Sequence, residues 1–196
     1  TGIENGDETA ALTAFTATST GATSVTLTAS DTNWSVTTAD LATALTAGVR
    51  FAGALTVTGI ADANETAALT AYTSAITGAT SVTLAATDTV WSVTAANLTT
   101  ALAAGVRLAG TLTVTGIENG DETAALTAFT ATTTGATSVT LTADGAWSVT
   151  GSTLKTALDG GVRLVGTLAV TDIASGDETG ASTTFSTTNT GATSVT

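Results

Sequence analysis

"GATSVT" occurs at residues 21–26, 78–83, 135–140 and 191–196. Recurrence of one hexapeptide four times marks an internal repeat, and a repeat constrains the architecture more than any local pattern does. The hexapeptide reads as the start of a strand. Its Gly closes whatever comes before, and in "TSVTLTA" (23–29) Val25 and Leu27 alternate with Thr26 and Thr28. Trp34, Trp91 and Trp147 recur at spacings of 57 and 56 residues, and Arg50, Arg107 and Arg163 keep the same two spacings. The copies therefore run over 2–58, 59–115, 116–171 and, in part, 172–196. Residues 1–29 and 115–143 differ only at Ser19 against Thr133. The one length change has "ADGAW" (143–147) where the first copy has "ASDTNW" (29–34), and tolerance of a deletion marks a surface turn. Residues 1–196 read as one continuous array. It opens part-way through a copy and stops inside a strand, so a fragment of a longer chain is expected.

Within one copy, "GALTVTG" (53–59) repeats the strand pattern, with Leu55 and Val57 on one face and Thr56 and Thr58 on the other. Two segments between the strands carry helix punctuation. In "TTADLATALTAG" (37–48), Thr37 is placed to cap, Asp40 follows three residues on, Leu41, Ala44 and Leu45 share a face, and Gly48 closes. In "GDETAALTAFTATSTG" (6–21), Asp7 is placed to cap, acids fill the first turn, and Leu12 and Phe15 stand three apart. The second copy puts Ala68, Leu69, Tyr72, Ala75 and Ile76 along one stripe. The fourth copy has "ETGASTTFSTTNTG", with Gly180 and Ser182 inside that stripe. Threonine-rich helices are intrinsically weak, so helix and strand both stay open for this type of segment.

Two cycles of strand, turn, helix and Gly fill each copy, at about 28 residues per cycle, the length of a solenoid coil. The expected fold is a strand-rich repeat protein, an α/β solenoid of paired strand-turn-helix coils. The alternative is a tandem set of immunoglobulin-like β-sandwich units that share strands, because such a sandwich takes about 100 residues and one copy is shorter.

Sixteen acids against four bases give a net charge of −12. That disfavours nucleic acid and anionic membranes, whose phosphates call for clustered Lys and Arg. Threonine makes up about a quarter of the chain, and Pro, Cys, Met and His are absent. Without Cys there is no disulfide framework or thiolate chemistry. Mean hydropathy is +0.40, yet Thr and Gly interrupt every apolar run well short of the ~18 residues a membrane helix needs. No membrane insertion is expected.

"ADGAWSVT" (143–150), followed by "STLKTALDGGVRLVGTLAVTDIASGDETGAS" (152–182), resembles the bacterial immunoglobulin-like repeats of large surface adhesins. The earlier copies depart from that pattern, with "SDTNWSVT" and "TDTVWSVT" in place of the Asp-Gly turn. "VTAANLTTALAAGVRLAGTLTVTG" (93–116) is similar in rhythm to the Thr/Ala-rich repeats of giant type I-secreted and surface-layer-like proteins. Both resemblances imply an extracellular or cell-surface bacterial setting, and neither implies an active site.

The residues that carry chemistry are few. No Ser-His-Asp or Cys-His arrangement can be built without His or Cys. "STLK" places Ser152 three residues before Lys155, a spacing some serine acyl enzymes use, but the other copies have Ala39 and Ala96 for Ser152 and Ala42 and Thr99 for Lys155. No enzyme is expected. The acidic turns hold Glu4, Asp7, Glu8, Asp62, Glu65, Glu118, Asp121, Glu122, Asp177 and Glu178. They supply the hard oxygens Ca2+ takes, though they match no defined calcium loop; helix N-termini also draw acids. Asp31, Asp88 and Asp144, ahead of each Trp, are further oxygen donors. Arg50, Arg107 and Arg163 are expected to pair with acidic turns, and Trp34, Trp91 and Trp147, with Phe15, Tyr72, Phe129 and Phe185, to form core between copies.

"NWS" (33–35), "NET" (64–66) and "NLT" (97–99) fit the N-glycosylation sequon, and the abundant Thr and Ser offer O-glycosylation sites. Thr-x-Thr pairs at 26/28, 56/58, 113/115 and 140/142 line the polar strand faces. Threonine is a good polar strand former in its own right; flat stacked rows of it would also suit an ice-binding face. The expected function is a structural repeat segment of an extracellular bacterial surface protein, as stalk, filament or surface-layer element, assembling by repeat stacking or end-to-end self-association. A binding module for Ca2+-dependent adhesion, glycan or ice is the alternative.

Overall fold

The computed structural model describes residues 1–4 and 6–196; position 5, in the first acidic turn, lies outside the described residues. The chain is a strand-rich α/β protein whose strands form parallel sheets of six and three strands, neither closed. It divides into two compact units, Thr1–Thr89 with Thr100–Ala109, and Val90–Thr99 with Gly110–Thr196. Among the described residues no helix is long and apolar enough to cross a membrane.

In the first unit, strand Val25–Thr37 runs parallel to strand Val49–Ile60. Helix Thr38–Thr46 makes the crossover that parallel strands require. Both strands bend at one place. Thr28 pairs with Ala52 and Asn33 with Ala54, so residues 29–32 stand opposite Gly53 alone. Thr32 takes φ +64 and Gly53 φ +103. A Cβ built on Gly53 would overlap the Thr32 carbonyl, so no side chain fits. The sequence reading ended the first strand near Ala29; the structure carries it on through "TNWSVT" to Thr37.

The bend changes the neighbours. Past it, Leu55 pairs with Trp34 on one side and with Val82 of the next copy on the other, and Val57 likewise joins Val36 to Leu84. All six of these residues are buried, while Ser35, Thr56 and Thr83 form the opposite row. Trp34 is 1% exposed, and its Nε1 donates to Ala52 O at 3.1 Å. Its ring meets Phe51 edge-on, at 5.2 Å between centroids and 76°. An indole is buried cheaply only if its N–H finds such a partner. The crossover helix forms as its punctuation suggests: Thr37 Oγ1 accepts from Asp40 N, donates to Asp40 Oδ2 at 2.8 Å, and Leu41 and Ala44 are buried.

The second unit repeats the scheme. Leu112 pairs with Val139 and Val139 with Val162; Val114 pairs with Leu141 and Leu141 with Leu164. Trp147 pairs with Leu168, which pairs in turn with Val195. Trp147 Nε1 donates to Val165 O at 2.9 Å. The shortened "ADGAW" falls in the gap between strands Ser138–Ala143 and Trp147–Thr150, as a surface turn should.

The segment expected as one helix over 6–21 is two, Glu8–Ala14 and Ala17–Thr20. Thr16 breaks it. Extended at φ −83 and ψ 162, Thr16 caps the second helix by accepting from Ser19 N at 3.0 Å. The break also splits the predicted apolar stripe of the second copy. Ala68 and Leu69 are buried, Tyr72 is half-buried, and Ala75 and Ile76 are exposed. The fourth copy stays helical over Glu178–Thr184 and Thr187–Thr190, so its strand reading does not hold. Ser186 caps the second of these by accepting from Asn189 N, and Gly191 in the left-handed region ends it.

Glycines 53 and 166 hold equivalent places, and only the first is crowded. Gly166 has φ +109 with nothing within 4 Å of an added Cβ, because the shortened turn no longer overhangs it. Gly53→Ala is expected to cost more than about 2 kcal/mol, and Gly166→Ala about 1 kcal/mol of backbone strain alone. Urea unfolding of both variants checks this; equal losses would mean the Thr32 overhang does not set the bend.

Candidate functional site: the joint between copies

The hexapeptide that marks the repeat builds the contact from one copy to the next. Gly78, at φ +79, ends helix Ser74–Thr77 by donating to Ser74 O. Thr77 ahead of it is fully buried; its hydroxyl donates to Thr73 O at 3.0 Å and accepts from Ala79 N at 3.3 Å. Ala79 is buried, and Thr80 N then donates to Gly53 O at 2.8 Å. The same atoms recur twice more. Thr134 is buried with its hydroxyl on Thr130 O at 2.8 Å, and Thr137 N donates to Gly110 O at 2.7 Å. Thr190 is buried with its hydroxyl on Ser186 O at 3.0 Å, and Thr193 N donates to Gly166 O at 2.8 Å. Each joint therefore ties the first threonine of one hexapeptide, through its N–H, to the carbonyl of a bend glycine of the preceding copy. The approach is tight: a Cβ on Gly191 would stand 3.0 Å from Leu164 O, and one on Gly78 would stand 3.2 Å from Arg50 Cβ.

Sequence reasoning did not single out Gly53, Gly110 and Gly166, or Thr77, Thr134 and Thr190. The signal was present, since each sits at a fixed distance from its Trp or its hexapeptide. Their role depends on a contact between copies, which no local pattern displays.

The acidic turns close on themselves. Glu8 Oε2 accepts from Gly6 N at 2.6 Å, Glu122 Oε2 from Gly120 N at 2.8 Å and Glu178 Oε2 from Gly176 N at 2.8 Å. Glu8, Glu65 and Glu122 are buried. Asp7, Asp121 and Asp177 stand at the N-cap positions but make no side-chain cap bond. The expected Asp cap is thus replaced by a Glu one residue later, whose longer stem reaches back to the glycine N–H. Glu4, Asp62 and Glu118 are exposed in the same turns. No group of three acidic side chains comes together among the described residues.

The arginines go elsewhere than the acidic turns expected for them. Arg50 Nη1 donates to Val49 O at 2.7 Å and lies 3.5 Å from Leu45 O, at the end of the crossover helix. Arg107 donates to Val106 O at 2.8 Å and Arg163 to Val162 O at 2.7 Å. Carbonyls at a helix C-terminus carry partial negative charge, which gives a cation a partner without a carboxylate. Ser152 and Lys155 are not brought together. Lys155 Nζ pairs with Asp159 at 2.7 Å on the exposed helix face, and the Ser152 hydroxyl lies 3.2 Å from that of Thr150.

Trp34, Trp91 and Trp147 are at most 1% exposed, and Phe129 and Phe185 are buried. Phe15 departs from the core role, at 48% exposed. Of the strand-face threonines, Thr26 is exposed and Thr28, Thr56, Thr58, Thr113, Thr115, Thr140 and Thr142 are half-buried; Thr58 and the exposed Thr171 turn their hydroxyls to the carbonyls of Val36 and Val149. Of the sequon asparagines, Asn33 is exposed with its amide on Asp31 O, Asn64 is exposed at a helix start, and Asn97 is half-buried in a first turn.

Glu122→Ala is expected to cost about 1–2 kcal/mol, because Gly120 N–H loses its acceptor at a buried helix start. Asp121→Ala should cost under about 0.5 kcal/mol, as an exposed residue without a cap bond. Urea midpoints in the reverse order would contradict the assignment of Glu as the cap. No family model matches this chain, and no curated protein or solved structure matches it either.

Proposed function

We propose that the chain is a structural repeat segment of an extracellular bacterial surface protein, serving as stalk, filament or surface-layer element. Its copies would stack as coils of an α/β solenoid. The observation that carries this reading is the joint: the same backbone bond onto a bend glycine is made three times, at 2.8, 2.7 and 2.8 Å. Such a contact depends on backbone shape and small residues, so any number of copies can be added without new chemistry. Parallel pairing within and between copies favours coils over immunoglobulin-like sandwiches, whose sheets are antiparallel. The absence of Cys and the net charge of −12 are compatible with a surface setting.

In a stacked array each copy is stabilised by its neighbours, so stability should grow with copy number and then level off. Chains of two copies, of the present length and of twice that length are expected to melt at successively higher temperatures. A gain of 1 kcal/mol moves the midpoint of a domain this size by about 2–4 °C. Equal midpoints across the series would show that the copies fold independently, which would contradict the proposal.

A further inference from the structure

Neither the core nor the joint uses the chemistry of the step from Asn119 to Gly120, in the turn ahead of helix Glu122–Ala128. An asparagine followed by glycine carries its own electrophile and nucleophile. Attack of the Gly120 nitrogen on Asn119 Cγ closes a cyclic imide; the nitrogen gives up its proton, the Cγ–Nδ2 bond breaks, and Nδ2 leaves as ammonia. Water then opens the ring and leaves an aspartyl or isoaspartyl residue at 119. Glycine in second place has no Cβ to hinder the attack, and asparagine is among the thermolabile residues for this reason.

The fold presents both reactants and withholds the proton transfer. Asn119 and Gly120 are exposed. Gly120 sits at φ +98, and Asp121 N donates to Glu118 O at 3.1 Å, so the pair forms the corner of a tight turn. The Asn119 amide lies against Gly145 of the shortened turn, where an added Cβ would stand 2.5 Å from Oδ1 and 3.3 Å from Cγ. Gly120 N, the nucleophile, donates to Glu122 Oε2 at 2.8 Å, and Glu122 is 7% exposed. Ring closure needs that nitrogen free of its proton. Beside a buried carboxylate, an amide anion meets a like charge that solvent screens weakly, so loss of the proton is opposed. The first copy has the same spacing: Gly6, which follows an Asn in the sequence, donates to Glu8 Oε2 at 2.6 Å.

We propose that Asn119 is a self-modification site that the Glu122 carboxylate holds closed in the folded chain. Reaction there runs one way. The imide has no N–H at residue 120, so Glu122 loses its donor as soon as the ring closes. Opening to the isoaspartyl form then adds a methylene to the main chain and moves the N–H away from the carboxylate. Either product adds a negative charge to the turn. Each opening of this helix start therefore exposes the site to a permanent mark, and a marked copy is capped less well than before.

Incubation of the full chain at neutral pH, followed by site-resolved mass spectrometry, tests this. Cleavage after Arg and Lys isolates residues 108–155, in which Asn119 is the one Asn. Conversion at Asn119 in the folded chain should be at least about tenfold slower than in a synthetic peptide of residues 116–124, since a hydrogen bond to a charged group must be given up. Glu122→Ala should raise the rate in the full chain by about tenfold or more. Glu122→Gln, which keeps the reach and removes the charge, should raise it by less and serves if the alanine variant does not fold. Val162→Ala opens a cavity in the buried strand of the same unit and lowers stability without touching the turn, so it should leave the rate near that of the parent. A folded chain that reacts as fast as the peptide, or Glu122 variants that leave the rate unchanged, would overturn the proposal. So would a Val162→Ala rate equal to that of Glu122→Ala, which would make global unfolding and not the carboxylate the gate.

Discussion

Strand Val49–Ile60 has one partner before its bend and two past it, and at that bend the Thr32 carbonyl lies against Gly53. Before the bend the strand of one copy pairs only inside that copy. Past it, the same strand lies between its own neighbour and the first strand of the next copy. Antiparallel hairpins would have closed each copy on itself; parallel strands, with helices as crossovers, leave an edge that the following copy must fill. Leu55 and Val57 are buried because two copies cover them, one from each side.

Threonine serves this design in three distinct ways. At Thr16, Thr37, Thr130 and Thr150 its hydroxyl caps a helix. At Thr77, Thr134 and Thr190 it is buried and ties the last helical turn to the joint. On strands it supplies a β-branched side chain that packs on the pleat without making the outer face greasy. The helices are individually weak, at four to nine residues. Isolated helices so short are marginal in water, so their caps and their packing on the sheet must hold them. This division of labour explains how a chain with little aromatic content and no disulfide still builds a core: buried Trp and Leu at fixed intervals, with the polar frame around them made almost wholly by Thr and backbone.

Much of the fold was legible because it is written locally and repeated. Alternation at Val25–Leu27 and Leu55–Val57, the Thr37 cap and the closing glycines 21, 78, 135 and 191 all appear as read, the glycines at φ +70 to +82. What escaped reading depends on distant partners. The extension of the first strand through Trp34 requires Gly53, twenty-one positions from Thr32. Thr16 looked like one more helix residue, and only its extended backbone shows it as the cap that splits 6–21. Carboxylate reach, not charge, made Glu8 and Glu122 the caps in place of Asp7 and Asp121. The arginines satisfied themselves on main-chain carbonyls that no sequence pattern advertises. Of the joint itself, the hexapeptide was visible as a register mark, while the glycines it docks on were passed over.

The amides of Thr80 and Thr137 donate to the carbonyls of the bend glycines Gly53 and Gly110 in the copy before. Native-state hydrogen exchange resolved at those two amides measures whether they couple one copy to the next. If the joint is part of the cooperative structure, both should exchange only through global unfolding, with the protection shown by buried Val82 and Val139. Exchange as fast as the exposed turn residues would show that the copies touch without being coupled.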